Sequence, residues 1–96
     1  MDIRSIAHRG LRRFIVKDDS SGLPAAFVEK IRNIVSFLQD MGSTDELRSI
    51  PGWRAHQLSS NRRDTWSLTV NRNWRITFRV DESDGTIVDL NFEDYH

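Results

Sequence analysis

An α+β fold is predicted for this 96-residue chain, with two helices packed on one face of a small antiparallel sheet of three to four strands. Residues 65–70 and 74–80 alternate apolar and polar side chains with period two, the mark of half-buried antiparallel strands. Residues 24–41 repeat apolar side chains at helical spacing. The helical segments come first and the strands follow, so the helices gather on the apolar face of a meander.

Taken in order, residues 2–7 suit a short edge strand with Ile3 and Ile6 inward, and His8-Arg9-Gly10 turns the chain. Residues 11–17 place Leu11, Phe14 and Ile15 at helical spacing with arginines outside. Pro24 suits the first turn of a second helix, where its missing N–H costs nothing. Phe27, Val28, Ile31, Ile34, Val35, Leu38 and Met41 carry that helix to a stop at Gly42, the position after a C-cap. Ser43 or Thr44 caps a short turn, and Pro51-Gly52 leads into strands over 54–58, 65–70, 74–80 and 86–92. Trp66, Leu68 and Val70 share the apolar face with Trp74, Ile76, Phe78 and Val80, while Arg75, Thr77 and Arg79 point away. In the last strand, Ile87, Asp89 and Asn91 fall on one side, and Val88, Leu90 and Phe92 on the other. Asn71 and Asn73 tolerate left-handed backbone angles and suit the hairpin between the central strands.

One domain spans 1–96. The absence of cysteine excludes disulfides and thiolate metal sites and suits a reducing cytoplasm. No apolar run approaches the ~20 residues of a membrane span, and no signal-peptide core opens the chain. The expectation is a soluble, cytoplasmic protein. Its zero formal net charge conceals segregation. Arg4, Arg9, Arg12, Arg13 and Lys17 face only Asp2 in residues 1–17, whereas residues 81–96 hold six acids and no lysine or arginine. Arginines outnumber lysines twelve to two, and arginine alone offers a planar fork for phosphate. On charge alone the arginine-bearing face, with Arg54, Arg62, Arg63, Arg72 and Arg79, reads either as a phosphate-binding surface for RNA or as solvated faces with acidic neighbours.

The chain has no glycine-rich phosphate loop, no metal-ligand spacing and no nucleophile elbow. Neither cofactor nor metal is expected. Metal-free acid–base chemistry remains, supported by His56, Arg75, Asp94, Tyr95 and His96. RNA cleavage needs that set: a base for the ribose 2′-OH, a cation for the phosphate and an acid for the leaving 5′-oxygen. Each residue alone has an ordinary reading as an exposed or terminal side chain. His8 and the tryptophans read as structural, so the signal lies in the combination.

The runs Gly52-Trp53-Arg54-Ala55-His56-Gln57-Leu58, Trp66-Ser67-Leu68-Thr69-Val70, Asn73-Trp74-Arg75-Ile76-Thr77-Phe78 and Glu93-Asp94-Tyr95-His96 closely resemble the HigB toxins. These are the plasmid maintenance killer proteins of the RelE/ParE superfamily. The resemblance implies helices on a small antiparallel sheet and a ribosome-dependent endoribonuclease that cuts messenger RNA in the ribosomal A site. It implies a HigA-type helix-turn-helix antitoxin as partner, operator DNA reached only through that complex, and no membrane. The family's functional residues fall on His56, Arg75, Asp94, Tyr95 and His96. Some relatives carry a lysine shortly after the histidine. Here Gln57, Leu58 and Ser59 stand there, so any phosphate role it has passes to Arg62, Arg63 or another arginine, or is absent. The rival readings are a ParE-like gyrase poison and a non-catalytic binding module with the same fold.

Overall fold

Four antiparallel strands lie side by side in sequence order: β1 His56–Gln57, β2 Trp66–Thr69, β3 Trp74–Asp81 and β4 Thr86–Asp94. The structure is a computed structural model that describes residues 1–94. Two helices precede the sheet, α1 Arg9–Lys17 and α2 Val28–Asp40. Short 3-10 turns at Ala25–Phe27, Thr44–Ser49, Pro51–Trp53 and Ser60–Arg62 join the elements.

Register divides the sheet into two faces. Leu68 pairs with Ile76, and Ile76 with Phe92, while Trp66 pairs with Phe78. This apolar face meets Leu11 and Phe14 of α1 and Ile31, Ile34, Val35 and Leu38 of α2 in one buried cluster. Full burial of each such side chain contributes about 1.5–3 kcal/mol. Trp53 joins the cluster, edge-on to Phe37 at 5.2 Å between centroids, and Trp74 stacks on Phe92 at 4.6 Å. The opposite face carries Ser67, Thr77 and Asn91 in one cross-strand row and Thr69, Arg75 and Glu93 in the next.

Strict alternation fails in β4. Ile87 and Leu90 are both fully buried in the core, with Phe92 beyond them. A register shift between Thr77 and Arg79 inserts one extra residue in β4, and Asp89 takes a left-handed φ of 56° there. This β-bulge moves Ile87 onto the face of Leu90 and Phe92 and takes Val88 off it. Asp89 is exposed and tolerates the conformation as a short polar residue.

Residues 2–7 run parallel to β4 rather than as a full strand. Isolated bridges join Ile3 to Ile87 and Ile6 to Leu90. The Asn71–Asn73 hairpin contains no positive φ. Instead the Asn71 Oδ1 accepts the N–H groups of Asn73 and Trp74, each at 2.9 Å, and the turn is an Asx turn. At the end of α2, Met41 is extended with φ −70° and ψ 147°, so no left-handed cap forms at Gly42. The Met1 ammonium donates to the carbonyls of Leu38, Gln39 and Met41, a cation at the negative end of the helix dipole. In the first turn of α1, Gly10 packs against Gly22. A Cβ on Gly10 would lie 2.3 Å from the Gly22 carbonyl oxygen, so that crossing requires glycine.

The first helix begins at Arg9 because His8 caps it. The His8 Nδ1 accepts the Leu11 N–H at 3.0 Å, and its ring meets Phe92 edge-on at 5.6 Å. Burial lowers the His8 pKa below the ordinary histidine value, since the charged ring loses hydration. The cap also requires a lone pair on Nδ1. With the folded-state pKa depressed, the stabilisation is complete above the unfolded value of about 6.5 and declines as pH falls toward the folded one. Replacing His8 by Asn keeps a capping oxygen without a titratable group. Thermal melts between pH 7.5 and 5 are expected to show the parent losing stability relative to His8→Asn. At pH 7.5, His8→Ala is expected to cost about 1 kcal/mol. Parallel pH profiles for parent and His8→Asn would remove the capping role.

Candidate active site

On the open face of the sheet, a polar cleft of about 210 Å³ lies between the two central strands and the end of β4. Ser67 of β2, Arg75 and Thr77 of β3, and Glu93 and Asp94 of β4 line it, with Leu58 and Arg62 from the loop beside β1. A larger cleft of about 310 Å³ separates α1 from α2. Its charged groups are Asp18 and Arg32, which pair with each other at 3.1 Å, so it offers no proton-transfer chemistry.

His56 stands beside the smaller cleft, directly across β1–β2 from Ser67. Its position follows from a backbone kink. Arg54 ends the Pro51–Trp53 turn in the left-handed region, with φ 48° and ψ 47°. That kink shortens β1 from the anticipated 54–58 to His56–Gln57 and leaves the Arg54 carbonyl next to the imidazole. The distance from His56 Nδ1 to that carbonyl oxygen is 2.9 Å. A carbonyl only accepts, so Nδ1–H donates, which selects the tautomer whose lone pair lies on the exposed Nε2. His56 and Arg75 lie two strand spacings and two residues apart, roughly 12 Å between backbones.

Arg75 is half-buried, and the hairpin supplies part of its anchorage. Its Nη1 donates to the carbonyls of Asn71, at 2.5 Å, and Trp74, at 3.0 Å. The hairpin therefore sets where the guanidinium lies. Thr69 and Glu93 flank Arg75 in register.

Glu93 is the residue that the motif reading passed over. Arg62 grips it with two bonds of 3.1 and 2.7 Å, and the Thr77 hydroxyl donates to the same carboxylate. Arg62, then the Thr77 hydroxyl, holds the Glu93 pKa below the ordinary carboxylate value against the opposing effect of burial. A sequence signal for it existed. Asn91 and Glu93 share parity on β4, and the register joins Glu93 to Arg75. Asp94 is exposed and pairs in register with Trp74, the opposite parity, yet it lines the cleft at its rim.

The arginine surface is less uniformly positive than its sequence implies. Arg62 is paired with Glu93, and Arg79 donates to Asp89 at 2.6 and 3.1 Å. Arg54, Arg63 and Arg72 are exposed and form no ion pair among the described residues. Tyr95 and His96, both expected in the site, lie outside the described residues. Among the described residues no group of three or more His, Asp or Glu side chains is arranged to hold a metal ion.

The comparisons with known proteins agree on family and fold. The family description "RelE-like toxin of type II toxin-antitoxin system HigB" matches residues 4–96. The chain is similar to the Endoribonuclease HigB of Proteus vulgaris, 39% identical over 95 residues, covering 98% of this chain and 99% of that protein. Among solved structures, YafQ from E. coli superposes with a TM-score of 0.62 at 10% identity, over 98% of this chain and 92% of that one. The YoeB–YefM complex from Staphylococcus aureus gives 0.56 at 15% identity, over 100% and 99%. At such identities these two structures establish the shared fold.

The Arg62–Glu93–Thr77 network has a direct test. In Arg62→Ala the main cause of the depressed carboxylate pKa is gone. A carbon-13 NMR titration of the Glu93 carboxyl is expected to move its midpoint upward from the parent's. An unchanged midpoint would mean that Arg62 does not hold Glu93 in solution.

Proposed function

This chain belongs to the HigB-like toxins, the RelE-like toxins of type II toxin–antitoxin systems, and from that premise we propose that it is a ribosome-dependent endoribonuclease that cuts messenger RNA in the ribosomal A site and so halts translation. The observation that carries the reading is geometric. One open sheet face carries an anchored guanidinium that lines a polar cleft, and an imidazole stands on the edge strand opposite Ser67 of that cleft.

Cleavage begins when a base removes the ribose 2′-proton. The 2′-oxygen then forms a bond to phosphorus in line with the bond to the 5′-oxygen, which breaks. The leaving 5′-oxygen takes a proton, giving a 2′,3′-cyclic phosphate and a 5′-OH end. His56 and His96 form the proton-transfer pair, with Asp94 a rival for one role. The lone pair on His56 Nε2 suits it to the base step in the neutral ring. Arg75 stabilises the charge that grows on the phosphorane, and its hydrogen bonds to the hairpin fix it before substrate arrives. Tyr95 orients or stacks the messenger.

The exposed arginines Arg54, Arg63 and Arg72 contact ribosomal and messenger phosphates, whereas Arg62 and Arg79, already matched by Glu93 and Asp89, line the RNA path without binding phosphate. The family is one of toxin–antitoxin pairs, so the chain has an antitoxin as partner. We assign that antitoxin to the HigA-type helix-turn-helix class, which brings the pair to its operator DNA. The site of action is the cytoplasm, where the ribosomes are. No described helix is long and apolar enough to cross a membrane.

Cleavage of messenger on translating ribosomes tests the mechanism. His56→Ala and Arg75→Ala are each expected to slow cleavage by about a hundredfold or more, as losses of a proton-transfer group and a charge stabiliser. His96→Ala is expected to do likewise. Arg63→Ala is expected to weaken ribosome binding and to lower its logarithmic salt slope by about one. Should His56→Ala, Arg75→Ala and His96→Ala all cut as fast as the parent, the proposed chemistry is wrong. Inhibited DNA supercoiling by gyrase with intact messenger would point to a gyrase poison instead.

A further inference from the structure

A second cleft, of about 240 Å³, opens on the same sheet face and shares Arg62, Thr77 and Glu93 with the first. Resting on the ribonuclease reading, we propose that this cleft seats the nucleotide next to the scissile phosphate and that Asn91 reads its base.

Position comes first. The catalytic cleft is lined on β3 by Arg75 and Thr77, and the second cleft by Thr77, Phe78 and Arg79. The two are thus offset by one two-residue repeat of the strand, about 6.6 Å. Neighbouring phosphates of an extended single strand are separated by a comparable step. A messenger lying along β3 with one phosphate at Arg75 therefore brings an adjacent nucleotide over the second cleft.

Charge comes second. Both arginines of the second cleft are matched by carboxylates: Arg62 by Glu93 at 2.7 Å and Arg79 by Asp89 at 2.6 Å. A cleft neutralised from within is poorly suited to a phosphate. It fits an uncharged ligand rich in hydrogen-bonding groups, which a nucleobase is.

Hydrogen-bonding capacity comes third. Asn91 is half-buried and stands opposite Thr77 in register. Its Oδ1 accepts the Phe92 N–H at 3.0 Å, and because a backbone N–H only donates, that bond fixes the orientation of the amide. The NH₂ group is then the outward donor. Asp89, re-aimed by the bulge, takes both Arg79 bonds on Oδ2, and Oδ1 remains as an acceptor. A donor and an acceptor in one small cleft match a base that presents an acceptor beside a donor along one edge. Single-stranded RNA exposes such edges.

Cleavage sites mapped on translating ribosomes carrying a messenger library with randomised codons test the assignment. In Asn91→Ala, the preference of the parent at one nucleotide beside the cut is expected to flatten about tenfold. In Asn91→Asp, which replaces the donor by an acceptor, the preference is expected to shift toward bases that donate. Unchanged site distributions in both variants overturn the proposal. So does a uniform loss at every site, which marks Asn91 as merely structural. A second measurement stands even if the parent cuts no RNA and the ribonuclease reading fails. Adding uncleavable 2′-O-methyl trinucleotides to the folded parent is expected to shift the Asn91 side-chain NH₂ resonances, to a degree that depends on the base. No shift with any trinucleotide overturns the subsite on its own account.

Discussion

The pairing register of β2, β3 and β4 determines both what holds this protein together and what it presents to a ligand. Side chains alternate across a strand, so a slip of one residue would exchange the faces. Leu68, Ile76 and Phe92 would turn to solvent, and Ser67, Thr77 and Asn91 would turn inward. The helices enforce the correct choice, because Ile31, Ile34 and Leu38 of α2 are fully buried in the cluster that the apolar face completes. The polar rows are thus placed by core packing and need contribute little stability of their own. That is why a face carrying Arg75 and Glu93 is available for chemistry.

Charge follows from the same register. Residues 81–96 are acidic and the stretch before them is arginine-rich, and β4 folds back beside β3. Asp89 meets Arg79, Glu93 meets Arg62, and Asp81 and Asp84 meet Arg4. These pairs are mostly solvent-exposed, where an ion pair is worth about 0–1 kcal/mol. Their main effect is on potential. They neutralise part of the arginine field, and among the described residues Arg54, Arg63 and Arg72 remain exposed without an ion pair. A strand that is acidic in sequence thereby shapes a surface that segregation alone would have left uniformly basic.

What was legible in the sequence divides along physical lines. Helix α2 and strands β2 and β3 were readable because local period and tertiary burial agree there. The β4 faces were not, because the bulge at Asp89 breaks the alternation, and nothing in Thr86-Ile87-Val88-Asp89-Leu90 announces where an extra residue is inserted. The kink at Arg54 was equally silent, since arginine has no preference for a left-handed backbone. The His8 cap was hidden because imidazole is an uncommon capping group. Within the site, motif resemblance named His56, Arg75 and Asp94, but the carboxylate among the central rows is Glu93. Motif matching weighs residue type, whereas the face a residue occupies depends on parity and register.

His56 lies on a two-residue strand at the edge of the sheet, where pairing is weakest. Under the proposed mechanism an edge strand there has a chemical use. A group that moves a proton must be open to substrate, and in the interior of this sheet the polar face is crowded by cross-strand neighbours. The edge alone would leave the imidazole free to turn. The left-handed Arg54 supplies the missing constraint by placing its carbonyl 2.9 Å from Nδ1, so orientation is set by backbone geometry rather than by burial. Arg75 is treated in the same way, held by the carbonyls of Asn71 and Trp74 at the hairpin. Both side chains are anchored through main-chain oxygens, which neither titrate nor dissociate. The carboxylates of Glu93 and Asp89 meanwhile balance Arg62 and Arg79.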